Sequence, residues 1–334
     1  MNIKLMTILA LSIGSSPLTF ADGQIKSFSQ PEPIERIICD STEGTVVSHT
    51  FKSRKGNYLS CAHVDAFVDT LASVTAIAPV SPEVSLFIDK EYNNASFDMG
   101  SIIYVPLRLG FSNRFGATFY GDFYANHTVL AHEYGHAILS KMLEKEDFFK
   151  ELKEISLKIS QLRITIQKTY EAGNPGNMVE FYSNMLKAAE AKRVENKEAM
   201  KVNRMLSPYH ELFADLVASL ALKSKRAMVN ALYYDELDDQ GYLMILARDF
   251  DLNSLDMKGP YMSEEHGMLA PTRRFIGSNF WVETEEEKRE LLKNLYTAIV
   301  IELKKQINGE GEGLTPAKMN ESLIKTLSKL SSQE

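Results

Sequence analysis

Val129-Leu130-Ala131-His132-Glu133-Tyr134-Gly135-His136-Ala137 sets two histidines four residues apart inside a mostly apolar helical pattern that runs over residues 126–142. On an α-helix this spacing puts both imidazoles on one face about a turn apart, which is the geometry that chelates a metal ion. Glu133 stands at the edge of the same face, where a carboxylate can reach a metal-bound water without ligating the ion, and is the candidate general base. The flanking apolar residues bury the helix, and two buried imidazoles without polar partners would be costly, so the pair calls for something to hold.

A hydrolytic zinc site needs a third protein ligand and one open position for water. A metzincin places Gly three residues and His six residues after the second histidine; this chain has Leu139 and Met142 there, which excludes that class. Further on, Tyr209-His210-Glu211-Leu212-Phe213-Ala214-Asp215 offers Glu211 as the third ligand. Asp215, one helical turn later, is placed to accept the free ring N–H of a ligand histidine. His210 is the rival ligand, but neighbours on a helix point about 100° apart, so only one of the two can face the ion. The Glu211 register is favoured because it alone puts Asp215 on the metal face.

These residues resemble the gluzincins, zinc metallopeptidases with an HExxH helix and a glutamate ligand on a following helix. Glu211-x-x-Ala214-Asp215 looks most like the CAAX prenyl protease clan and its soluble bacterial relatives. Asn94-Ala95 followed by Gly100-Ser101-Ile102-Ile103-Tyr104-Val105 resembles that clan's strand before the zinc helix. The resemblance covers roughly residues 94–223. It implies one zinc ion on His132, His136 and Glu211, Glu133 as general base, Asp215 behind the ligands, and hydrolysis of a protein or peptide substrate. In gluzincins a later His, Tyr or Arg commonly stabilises the oxyanion; His266 is the candidate here, with Arg273 a weaker one. The chain departs from the clan's downstream pattern, since Gly267 follows His266 where the clan has proline. The competing class is a non-catalytic binding or structural protein on a peptidase-like scaffold, with zinc holding two helices together.

Working outward, the apolar positions Val64, Phe67, Val68, Leu71 and Val74 recur at three and four and predict a helix over 60–78. Residues 84–88 and 101–106 read as strands, as do 36–40 and 45–51 near the N-terminus. A substrate strand is expected to pair with the edge of 101–105. Leu152, Ile155, Ile159, Leu162 and Ile166 form a seam amid Lys and Glu, and Gly173-Asn174-Pro175-Gly176 breaks it, so 147–206 predicts an inserted antiparallel helical arm. Glu211 lies 75 residues after His136 (211 − 136), and the arm fills most of that distance. Closure entropy grows only logarithmically with loop length, so the two metal helices can still meet. Ser207-Pro208 is expected to start the helix bearing Glu211. Thr284 with Glu287 predicts a capping box for a helix carrying Leu291, Leu292, Leu295 and Ile299, and a last short helix follows the glycines at 309, 311 and 313. The sum is an α+β, mainly helical fold, zincin-like, with a small sheet and an inserted helical hairpin, in one domain over 22–334.

The whole chain has 334 residues, 44% hydrophobic and 24% charged, with 37 basic against 44 acidic side chains. That composition is globular, and a net charge of −7 argues against nucleic acid as a partner. Residues 1–21 have a signal-peptide pattern: Lys4, an apolar run of about ten residues, and Thr19-Phe20-Ala21 before the expected cut. No segment predicts stable membrane insertion of the mature chain, which is expected in the periplasm or secreted. Export would put Cys39 and Cys61 in an oxidising compartment, where a disulfide between them is plausible; neither has a second cysteine at zinc-ligand spacing.

Overall fold

The computed structural model describes residues 61–89, 94–106, 108–112, 118–172, 176–233, 239–252, 260–310 and 314–331. The expected signal segment, the strands over 36–40 and 45–51, and Cys39 lie outside these residues. The described chain is mainly helical around a three-stranded sheet. Among the described residues no helix is long and apolar enough to cross a membrane.

Helix α1, Cys61–Ile77, buries Phe67, Leu71 and Val74, the three-and-four stripe of its sequence. Strand β1, Ser85–Asp89, runs parallel to β3, Ile102–Pro106, with Ser85 opposite Ile102. The two-residue β2, Ser96–Phe97, pairs antiparallel on the other side, Phe97 opposite Ile103, giving the order β1-β3-β2. This corrects the expected substrate edge. Strand β3 is central and bonded on both sides, and the outer edge of β2 meets no other described strand. A small hairpin of β4, Gly110–Ser112, and β5, Thr118–Tyr120, follows.

Helix α2, Phe123–Leu143, starts where the Asp122 carboxylate accepts the Ala125 N–H, a side-chain N-cap. Asn126 ties it to the end of β3: its amide donates to the Pro106 carbonyl at 2.9 Å and accepts from Leu109 N–H at 2.7 Å. From Thr128 to Ser140 every residue of α2 is buried, so the two histidines sit inside the protein.

The arm consists of α3, Asp147–Glu171, and α4, Gly176–Glu195. Asn196 donates to Glu151 and Arg163 pairs with Glu190, so position rises along one helix as it falls along the other. Ile155, Ile159, Leu162 and Ile166 close on Leu186 and Ala189 in a core of their own, while Leu152 belongs to the main core. The arm is fastened to the turn between β2 and β3. There Ser160 donates to Asp98 at 2.7 Å and accepts from Ser101 N–H. Gly100 must be glycine, because a Cβ would lie 1.8 Å from Ser160 Oγ.

Helix α5, Lys197–Ala221, does not start at Ser207-Pro208 as its sequence suggests. The Asn196 side chain caps it by accepting the Ala199 N–H, and Pro208 lies within the helix. Proline there removes one hydrogen bond to the carbonyl of residue 204; Arg204 lies on the exposed face, where water can replace it. Residues 197–206 therefore continue the metal helix rather than the arm. The rest of the chain forms α6, Ala227–Leu232, α7, Asp239–Leu246, a 3-10 turn at Pro260–Ser263, α8, Ala270–Asn279, α9, Glu285–Ile307, and α10, Pro316–Ser331. Helix α9 begins with the reciprocal Thr284 and Glu287 capping box. It braces α5 through Gln306, which donates to the Tyr209 hydroxyl at 2.7 Å.

Candidate metal centre

Among the described residues helices α2 and α5 make the most extensive helix contact, and it crosses the centre of the histidine motif. A Cβ built on Gly135 would lie 2.8 Å from Ala214 Cα and 3.1 Å from Val217 Cβ. The missing side chain lets the two helices approach until their polar faces meet. His132, His136 and Glu211, all buried, then bring their ligand atoms within 4.8 Å of one another. His132 Nε2 lies 3.3 Å from Glu211 Oε2 and His136 Nε2 lies 3.4 Å from Glu211 Oε1. A tetrahedral ion with bonds of about 2.0–2.2 Å separates its ligand atoms by roughly 3.3–3.6 Å, so the donor set and its spacing fit zinc.

Both histidines are held from behind. Asp215 Oδ1 lies 2.9 Å from His132 Nδ1, leaving Nε2 directed at Glu211. With its own Nε2 turned to the cluster, His136 donates Nδ1–H to Nδ1 of His210, 3.1 Å away. His210 thus stands off the metal face, as its helical position requires, and supplies the acceptor that orients His136. Burial, with the neighbouring His136 charge, lowers the His210 pKa well below its ordinary value, which keeps the ring a neutral acceptor.

In the next layer sequence reasoning missed Arg248 and gave Arg273 a different place, as a weaker oxyanion candidate. Arg248, just past the end of α7, donates Nε–H and Nη2–H to Asp215 at 3.1 and 2.5 Å. Arg273 on α8, fully buried, donates Nε–H to Asp215 Oδ2 at 2.9 Å. It is part of the scaffold behind His132 and makes its contact with Asp215. Burial opposes ionisation of Asp215, but the two guanidinium charges overcome this and hold its pKa below the usual carboxylate range. Burial and the Arg248 cation likewise act against a charged His132, yet bonding to Asp215 and Glu211 raises its pKa to about 9. Burial also opposes the Glu211 anion, and the facing His266 and His136 charges lower its pKa well below normal.

Glu133 is buried beside the ligands and lines the same small cavity as His132, His136, Glu211 and His266. His266 Nε2 lies 3.2 Å from Glu211 Oε2, and Glu264 holds its Nδ1. His266 does not share the mutual spacing that unites His132, His136 and Glu211, and stands between Glu211 and Glu264 instead. Asn94 and Ala95, just before β2, form a wall of this cavity. Comparison with family models, curated proteins and solved structures gives no significant match to the chain. The likeness to gluzincins therefore rests on the residues of the centre.

Proposed function

We propose that the chain is an exported, zinc-dependent endopeptidase of the gluzincin kind. The observation carrying this reading is the cluster of two imidazoles and one carboxylate at zinc-ligand separations, with Glu133 beside it in one cavity. Zinc held by His132, His136 and Glu211 would supply an acidified water and a positive centre that polarises the peptide carbonyl. Glu133 takes the proton of the attacking water and passes it to the departing amide nitrogen. His266, whose Nδ1 is held by the Glu264 carboxylate and whose pKa is raised against its burial by the facing Glu211, would in its protonated form present Nε2–H to the developing oxyanion. Asp215 and His210 keep the ligand rings in the productive tautomer and orientation.

The substrate would lie along β2, which of the two edge strands of this sheet is the one joined to Asn94 and Ala95 at the cavity wall. Main-chain pairing with an edge strand gives affinity without demanding one sequence.

The test is zinc content and peptide cleavage of the mature protein and of Glu133→Gln. Both proteins should bind about one equivalent of zinc, and cleavage should fall by about 10²-fold or more in the variant. Equal cleavage by both would remove the base. A zinc-replete wild type that cleaves no peptide would leave the non-catalytic scaffold as the better reading.

A further inference from the structure

A second cavity runs from the metal centre to the root of the arm. It is lined by Glu133, His136 and Glu211 at one end, and by Phe97, Arg163 and Arg193 toward the other. The two arginines come from the arm and differ sharply in their partners. Arg163 is committed to Glu190 at 2.9 Å and to Asp98 at 3.7 Å. Asp98 is itself saturated by the N–H groups of Gly100 and Ile102 and by the Ser160 hydroxyl. Arg193 is 8% exposed and its Nε is wholly shielded and unpartnered; Asp98, which also lines the cavity, and Glu190 act on its charge without a direct ion pair, both being engaged by Arg163.

A guanidinium carries five N–H donors, and leaving it desolvated without acceptors is unfavourable. The group that matches it best is a carboxylate, which it can bind in a two-pronged, charge-assisted pair. The cavity volume of about 80 Å³ is several times the roughly 10–15 Å³ that one water needs on the same measure, room for a carboxylate group. Phe97 belongs to β2, so a peptide paired along that strand passes the mouth of this cavity.

We propose that Arg193 forms a specificity subsite that receives a substrate carboxylate, so that the helical arm selects acidic peptides. This rests on the peptidase reading for its placement, but the subsite can be tested without catalysis. The carboxylate has two chemical sources, an Asp or Glu side chain and a free C-terminus, and the test separates them.

The zinc-loaded Glu133→Gln protein would be titrated with N-acetylated, C-amidated octapeptides in which one Glu is moved through every position. Each has a Gln twin, and one all-Gln-twin set carries a free C-terminus. One Glu position, or the free terminus, should bind about tenfold or more tighter than its uncharged twin. Adding Arg193→Gln should abolish that difference, and Arg193→Lys should keep part of it, which guards against a folding defect in the first variant. Equal binding of all Glu and Gln twins and of both termini, or a preference that survives Arg193→Gln, would overturn the subsite. The same peptides offered to wild type separate the two proposals. Cleavage without a carboxylate preference removes the subsite and keeps the peptidase, while Arg193-dependent binding without cleavage keeps the subsite and removes the peptidase.

Discussion

Replacing Asp215 by Asn removes one negative charge and leaves the shape almost unchanged, which makes it the cleanest probe of how the centre is built. Asp215 is completely buried and is contacted by Arg248, Arg273 and His132. The variant leaves two buried guanidinium groups facing an amide that can present only one oxygen. Breaking a buried pair by removing one partner costs about 3–5 kcal/mol, and here two cations lose the same anion. Against a total stability of about 5–15 kcal/mol this is a large fraction. The denaturation midpoint should fall by about 1 M or more in urea, taking a slope near 3 kcal/mol per M. His132 must then share that one neutral oxygen with the guanidinium groups, so zinc affinity should drop about 10–100-fold in a competition titration with a chelator. The effect has a pH signature. The folded-state pKa of Asp215 is depressed, so its contribution is complete above the unfolded value and is lost only as pH falls through the folded one. The part of the wild-type to Asp215→Asn difference carried by the Asp215 titration itself should therefore stay constant from neutral pH to about pH 5 and shrink only in stronger acid, while the part carried by His132, whose raised pKa depends on Asp215, should change as pH falls from about 9. A variant that unfolds within about 1 kcal/mol of wild type and binds zinc equally well would refute the claim that this carboxylate carries the centre.

Gly135→Ala should destabilise the protein by about 1–3 kcal/mol and weaken zinc binding, because the new methyl group meets the α5 backbone at Ala214 and drives the ligand helices apart; thermal melts with and without zinc check both effects. His210→Phe keeps a flat ring but no acceptor for His136, and should lower zinc affinity about 10–100-fold in a chelator competition. Zinc must displace the proton that His132 holds up to a pH of about 9, so apparent affinity should fall steadily as pH drops from 9 toward 6, with proton release seen on binding in weakly buffered solution.

The parts of this centre that were legible in the sequence are those written in helical arithmetic. His132 and His136 are four apart, as are Glu211 and Asp215, and a spacing of four puts two groups on one face whatever the rest of the chain does. The same arithmetic turned His210 off the metal face, but could not say what it would meet there, because its partner is 74 positions away on another helix. Arg248 left no local trace for a related reason. Its contacts to Asp215 and His132 span 33 and 116 positions, and an arginine at the end of a short helix has no periodic signature. Strand β2 was too short to show alternation, so the longer apolar run of β3 took the role of edge in the sequence reading; it is long and apolar because it is buried between two neighbours. Ser207-Pro208 misled in the opposite direction, since proline suits a helix start, yet Asn196 caps earlier and packing carries α5 through it. The arm joins both kinds of information. Its seam was readable from Ile155 to Ile166, but its docking on the sheet through Ser160 and Asp98 spans 62 positions and left no local trace. Local spacing thus locates the groups that could hold an ion, while long-range packing decides which charges surround them.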